Sequence, residues 1–147
     1  MDLPHVDVHA VEIDAATDVV WSALLETMGQ AGPGAAAYAR IIGCADHRAG
    51  GPRPLAVGST VPGFRVADAV SGSELALEGS HRFSAYALIF RLDPLPDRRT
   101  QLRAETRAVF PGRSGAVYRA VVIGTGGHAV LMRRLLTGIQ RRSERPG

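Results

Sequence analysis

Three side chains that could orient or protonate a small molecule stand among apolar neighbours in this sequence: Tyr86, Tyr118 and His128. An imidazole can shuttle a proton or bind a ligand carbonyl near neutral pH. A tyrosine hydroxyl at the end of an apolar ring can fix the orientation of a ligand. We predict that all three contribute to a ligand-binding site. The competing interpretation is a core in which each polar group has a partner, and for His128 that partner would be a strand group or water.

Two larger aromatic side chains are predicted to contact the same ligand. Trp21 lies in a helical pattern and Phe90 in an alternating strand pattern. Both could instead be core anchors, which is the more common role of a large aromatic side chain. The sequence assigns no catalytic residue.

A row of charged residues at alternate positions offers a different chemistry. Arg103, Glu105 and Arg107 would share one face of a strand. If that face lined a cavity, Glu105 between two cations would form an acid–base or carboxylate-binding site. A polar row of period two usually faces water, so charge pairs on a solvated sheet face are the simpler interpretation.

Metal and nucleotide chemistry are not predicted. His5 and His9 flank Asp7, and a regular strand would place the two histidines on one face, but a third ligand is not evident. The glycine-rich stretch from Gly124 to Gly127 matches neither the phosphate-loop nor the dinucleotide pattern. We therefore expect no metal and no cofactor.

Hydrophobic periodicity predicts the elements that would position these residues. Apolar residues at three- and four-residue steps indicate a helix over Thr17–Met28, followed by a turn or weak second helix over Gln30–Ala36. Alternation of period two indicates strands. The predicted strands are His5–Ile13, Tyr38–Ala45, Phe64–Val70, Glu74–Glu78, Arg82–Leu92 and Gln101–Phe110. A turn is expected at Gly79–Ser80, which would put His81 and Arg82 at a cavity mouth or in an ordinary surface turn.

One amphipathic helical pattern, Gly115–Arg142, closes the chain. On a helical wheel its inward stripe carries Val117, Val121, Gly124, His128, Leu135 and Ile139, with Tyr118, Thr125, Met132 and Leu136 beside it. Its outward face carries Arg119, Arg134 and Arg141. The glycines at 124, 126 and 127 oppose a continuous helix. A bend, a break into two helices, or close backbone approach to the sheet or a ligand would each account for them.

Composition limits the class of protein. A chain of 147 residues with 46% hydrophobic residues fits a single globular domain, residues 1–147. All 17 basic residues are arginine and they are spread along the chain, which argues against a nucleic-acid-binding face. No apolar run is long enough to span a membrane. The single Cys44 and the lack of an export signal predict a cytoplasmic protein. A homodimer is left open.

The segment from Val11 to Leu24 resembles the opening of the START-related (SRPBCC) superfamily of polyketide cyclases, dehydrases and lipid-transfer proteins. Members typically show a strand, an Ala-Pro turn and a helix with Val-Trp near its start. Ala15, Val20 and Trp21 match that pattern, and Ala16 replaces the proline. Short segments later in the chain also resemble members: Gly63–Val66, Gly79–Phe83 and Phe110–Gly112.

The resemblance implies an α+β helix-grip fold. In this fold a curved antiparallel sheet of six or seven strands wraps a long C-terminal helix, one or two short helices follow the first strand, and a cavity lies between sheet and helix. Such a container predicts binding of a small hydrophobic molecule, either a lipid, a polyketide or an aromatic metabolite. A cyclase or dehydrase using His128 or Glu105 for proton transfer is the first alternative. A protein-interaction module is the second.

Overall fold

A computed structural model describes residues 3–30, 43–46, 49–122 and 126–145. It contains an antiparallel sheet of six strands in the order β1-β6-β5-β4-β3-β2. The elements are β1 (His5–Ile13), α1 (Thr17–Gly29), β2 (Thr60–Val61), β3 (Phe64–Val70), β4 (Glu74–His81), β5 (Ser84–Leu95), a 3-10 turn (Pro96–Arg98), β6 (Arg99–Val109), α2 (Gly112–Val122) and α3 (Gly127–Ser143).

The predicted α+β helix-grip architecture is confirmed. Strands β2 to β6 pair with their sequence neighbours, and β1 pairs with β6, so the first and last strands lie side by side. The helices α1 and α3 pack against each other, and α3 packs against β1 and β6. Among the described residues, no helix is long and apolar enough to cross a membrane.

The core lies between the inner face of the sheet and the helices α1 and α3. Alternate residues of β5 and β6 face inward, because only every second strand residue points to one face. Phe90 of β5 and Leu102 of β6 are fully buried, as are Leu24 of α1 and Ile139 of α3. The fully buried apolar side chains are Ile13, Val20, Leu24, Leu75, Leu77, Phe90, Leu102 and Ile139, with Ala104 beside them.

The predicted turn at Gly79–Ser80 is wrong, because β4 continues through both residues to His81. Gly79 pairs with Tyr86 on β5. A Cβ atom at position 79 would overlap the Gly63 carbonyl oxygen and lie 2.6 Å from the Tyr86 ring. Close packing against Tyr86 therefore requires this glycine, and the chain reverses later, at Arg82 and Phe83.

The single closing helix is replaced by two helices. The described part of α2 ends at Val122 and α3 starts at Gly127, after Gly126 in the left-handed region with φ 80°. A wheel drawn through both halves therefore assigns the wrong phase to the first half. Val117, predicted to face inward, is 65% exposed. Met132, Leu136 and Ile139 are buried on α3, and the arginines predicted to face outward are exposed.

Two weaker predictions concern the chain between α1 and β2. Cys44 and Ala45 do not belong to a strand, so the predicted strand Tyr38–Ala45 is wrong at its end. The rest of that strand, and all but Gln30 of the proposed second helix Gln30–Ala36, lie outside the described residues.

The packing at Gly79 predicts the effect of a methyl group there. Gly79→Ala should lower the free energy of unfolding by about 2 kcal/mol, since overpacked sites cost roughly 1–3 kcal/mol, and urea denaturation would measure this. Gly138→Ala is the matched control, because no atom lies within 4 Å of the point that its added methyl group would occupy and alanine favours a helix interior. Equal stability of Gly79→Ala and the parent protein would contradict this packing role.

Candidate functional site

Four polar side chains meet on the inner face of the sheet, where β1, β6 and α3 come together. We call Asp7, His9, Thr106 and His128 the polar cluster. Asp7 and Thr106 are partners across the β1–β6 pair, and His128 lies above them near the start of α3. His128 Nε2 is 3.1 Å from Thr106 Oγ1 and 3.5 Å from Asp7 Oδ1.

A β-bulge separates His5 from this group. His5 pairs with Arg107 and Asp7 with Thr106, so β1 contains one more residue than β6 at this point. From Asp7 to Ile13 the pairing is regular, so Asp7 and His9 share the inner face with the buried Ile13. The bulge turns His5 to the outer face, where it reaches Glu105 at 2.9 Å. The prediction that His5 and His9 share a face is wrong for this reason.

Asp7 is the centre of the polar cluster. His9 Nε2 lies 3.2 Å from Asp7 Oδ2, and a carboxylate can only accept, so His9 donates. Asp7 Oδ1 is buried and makes no hydrogen bond within the described part of the chain. His128 Nε2 lies 3.5 Å from it, within ion-pair distance. Asp7 thus links the two imidazoles of the polar cluster, with His9 on one carboxylate oxygen and His128 near the other.

A second group on the inner side is aromatic. It joins the ends of β3, β4 and β5 to α2, and we call it the aromatic cluster: Phe64, His81, Phe83, Tyr86, Phe110 and Tyr118. Tyr118 stacks on Phe83 with ring centroids 5.4 Å apart and contacts His81 edge-on at 4.8 Å. Through these contacts Tyr118 packs α2 against the β4–β5 turn.

The Tyr86 hydroxyl already has a partner. It donates to the Gly63 carbonyl oxygen at 2.5 Å and lies 3.9 Å from Cys44 Sγ. Burial raises the pKa of Tyr86, and the neighbouring Cys44 raises it further. Burial also lowers the pKa of His81, whose Nδ1 accepts a hydrogen bond from the Phe83 amide. Both groups are neutral at physiological pH, which suits contact with an apolar molecule.

The other predicted contacts, Trp21 and Phe90, lie in the core. Phe90 is fully buried between strands, and Trp21 is partly exposed and packs against the core from α1. The structure thus brings Tyr86 and Tyr118 into one cluster and places His128 in another. Their roles in ligand binding stay predictions.

Glu105 lies on the outer face, away from the helices. Its flanking residues Ala104 and Thr106 point inward, and its own carboxylate binds Arg91 at 2.9 Å and Arg107 at 3.0 Å. These contacts lower the pKa of Glu105 to about 2, mainly through the hydrogen bond from Arg91 and then that from His5. Charge pairing on the outer face was the simpler interpretation, and it is confirmed. Glu105 cannot transfer protons to a ligand held between sheet and helix.

A cleft of about 440 Å³ opens at the opposite end of β1 from Asp7. It lies where β1 enters α1 and is bordered by the turn before β6 and the end of α3. The residues around it are Asp14, Ala15, Ala16, Val19, Asp97, Arg98, Ser143 and Arg145. None of the predicted site residues borders this cleft. Within the described residues, no three His, Cys, Asp or Glu side chains could hold a metal ion.

Sequence reasoning missed three members of the polar cluster, Asp7, His9 and Thr106. Thr106 had a visible signal, since it is the one polar residue in the row Leu102, Ala104, Thr106 and Ala108. Asp7 and His9 also had a signal, because they alternate with Val11 and Ile13 along β1.

Solved structures of three other proteins share this fold over nearly the whole chain. The Zhui aromatase/cyclase from Streptomyces sp. R1128 has a TM-score of 0.64 at 16% identity, covering 98% of this chain and 95% of its own. Truncated norcoclaurine synthase from Thalictrum flavum has a TM-score of 0.59 at 11% identity, covering 100% and 99%. A conserved protein from Geobacillus kaustophilus has a TM-score of 0.55 at 19% identity, covering 92% and 93%. No family model and no curated protein sequence matches the chain. The likeness therefore establishes the fold.

The outer-face network predicts a pH-dependent contribution to stability. A carboxyl whose folded pKa is lowered stabilises the fold above its unfolded pKa, and this contribution is lost as pH falls from about 5 towards 2. Glu105→Gln should cost about 2 kcal/mol of unfolding free energy at pH 7, because Arg91 loses a charged partner. It should also flatten the stability profile in that acidic range, as measured by urea denaturation.

Glu78→Gln is the control for this experiment. Glu78 lies 3.9 Å from Arg65 and both are largely exposed, so its loss should cost less than about 0.5 kcal/mol. Parallel pH profiles for the parent protein and Glu105→Gln would show that Glu105 is not stabilised by its neighbours.

Proposed function

We propose that the chain binds a small hydrophobic molecule, either a lipid, a polyketide or an aromatic metabolite, between the inner face of the sheet and the C-terminal helices. The observation that carries the proposal is the set of side chains on the inner face of the sheet. There, aromatic rings from three strands and α2 form one cluster, and polar side chains of β1 and β6 form a second cluster with His128 of α3. Such sites are mostly apolar with a few polar groups that set orientation.

We further propose that the chain is a member of the START-related superfamily, and its lone Cys44 suits a cytoplasmic location. Support comes from the shared fold and from the pattern between Val11 and Leu24. At such low sequence identities a shared fold does not imply a shared ligand, since the side chains of the site determine what binds.

The proposed roles differ between the candidate residues. Tyr118 would contact the ligand through its ring and hold α2 over it. Tyr86 would contribute its ring alone, because its hydroxyl is engaged by Gly63. His128 would orient a polar group of the ligand. Phe90 and Trp21 would support the site from the core rather than close over a ligand.

The contacts of His128 favour a second candidate function, a cyclase- or dehydrase-like enzyme in which His128 moves protons. A carboxylate and a hydroxyl both lie within 3.5 Å of its Nε2, and a histidine oriented by such partners is a common general base. One of the structural neighbours is itself named an aromatase/cyclase. Loss of turnover of an aromatic polyketide in a folded His128→Ala variant would support this candidate.

Binding can be tested without knowing the ligand. Native mass spectrometry should detect a co-purifying small molecule, and thermal-shift screening of lipids and aromatic compounds should find members that raise Tm. Tyr118→Ala should weaken the binding of such members about tenfold, because an aromatic contact and buried apolar area are lost. Val117→Ala is the matched control, since this neighbour on α2 is exposed.

The proposal would be contradicted if no molecule co-purified and no library member raised Tm. Equal weakening by Tyr118→Ala and Val117→Ala would place the ligand away from the aromatic cluster.

A further inference from the structure

In the polar cluster, a carboxylate oxygen without a hydrogen bond, Asp7 Oδ1, lies next to His128 Nε2, which can be a donor or an acceptor depending on the tautomer. Asp7 Oδ1 is buried without a hydrogen bond among the described residues, and such an orphan costs free energy unless a donor reaches it. His128 Nε2 lies 3.5 Å away and has Thr106 Oγ1 as its other neighbour at 3.1 Å. A proton on Nε2 would lie between both oxygens, so this tautomer places a donor next to the buried Asp7 Oδ1, and a small shift of the ring would complete the hydrogen bond.

The Nδ1–H tautomer of His128 leaves Asp7 Oδ1 without a donor. If Nε2 carried a lone pair, the Thr106 hydroxyl could donate to it, but two acceptors, Nε2 and Asp7 Oδ1, would then face each other. The other carboxylate oxygen of Asp7, Oδ2, already accepts a hydrogen bond from His9. The charge of Asp7 therefore favours donors from both imidazoles.

We propose that Asp7 is a positioning residue that fixes His128 as its Nε2–H tautomer, so that Nδ1 is the acceptor presented to the ligand. Within the described part of the chain, Nδ1 has no hydrogen-bond partner, and 16% of the side chain is exposed. The inference rests on the proposed function, because it specifies the ligand chemistry of the same site.

This tautomer selects a class of ligand group. A neutral Nδ1 accepts a hydrogen bond, so it recognises a hydroxyl on an apolar or aromatic molecule and rejects the corresponding ether. A ligand proton that moves to Nδ1 would leave an alkoxide or phenolate next to an imidazolium, whose positive charge Asp7 stabilises through Nε2–H.

The tautomer can be read directly by nitrogen NMR of histidine-labelled protein, at a pH where the imidazole is neutral. The expected spectrum has His128 protonated at Nε2 and unprotonated at Nδ1. Asp7→Asn should populate the Nδ1–H form, since an amide can donate to Nε2. Asp68→Asn is the matched control, because Asp68 is an exposed strand residue whose carboxylate accepts from the neighbouring Ala69 amide.

Thr106→Val provides an independent variant if Asp7→Asn does not fold. It removes the only competing partner of Nε2 in the described cluster, so the Nε2–H tautomer should persist. A lone-pair Nε2 in the parent protein, or an unchanged tautomer in Asp7→Asn, would overturn the proposal.

Ligand recognition is tested with 2-naphthol and 2-methoxynaphthalene, which differ in the hydroxyl donor. The parent protein and Asp68→Asn should bind 2-naphthol about tenfold more tightly than the ether, the size of one hydrogen bond at a buried site. Asp7→Asn should lose this preference while still binding the ether. Equal binding of both compounds by the parent protein would overturn hydroxyl recognition.

Failure of the two claims can be told apart. If neither naphthalene derivative binds, hydroxyl recognition is overturned, whereas the proposed function is decided by co-purification and the thermal-shift library. The tautomer is then decided by the NMR measurement alone, which needs no ligand.

Discussion

The hydrogen-bond register between β5 and β6 is the constraint on which the other features depend. It pairs Phe90 with Ala104 and Leu92 with Leu102, which places the largest apolar side chains on the face that receives the helices. A slip of either strand by one residue would turn its side chains to the other face, so that Arg91 or Glu105 would point towards the helices and core residues would point away from them. The same register separates two carboxylates, since Glu105 pairs with arginines on the outer face and Asp7 contacts histidines on the inner face.

Alternation and helical periodicity were sufficient to predict most of the sheet and α1. The bounds of β1 and β3 are those predicted. These patterns succeed because burial on one face imposes period two on a strand whatever its neighbours are. The helix-grip arrangement followed from the resemblance near Val11–Leu24, which periodicity alone does not provide.

The errors have local causes that a pattern does not contain. Gly79 looked like a turn residue, but its missing side chain makes room for the Tyr86 ring within a continuous strand. Gly126 adopts a left-handed conformation that resets the helical phase, so Val117 turned outward. The bulge between His5 and Asp7 turned His5 away from the face that His9 occupies. The polar cluster was incomplete in the sequence prediction because its members come from β1, β6 and α3, which only the tertiary structure brings together.

The pairing of β1 with β6 also sets an order of assembly. Ile13 lies opposite Thr100 and His5 opposite Arg107, so within the described sheet β1 has no partner until β6 has been synthesised. Non-local pairing of this kind slows folding because the intervening loop must close first. The meander β3 to β5 can form earlier from neighbouring segments. The polar cluster requires β1, β6 and α3 together, so it is among the last parts of the structure to form.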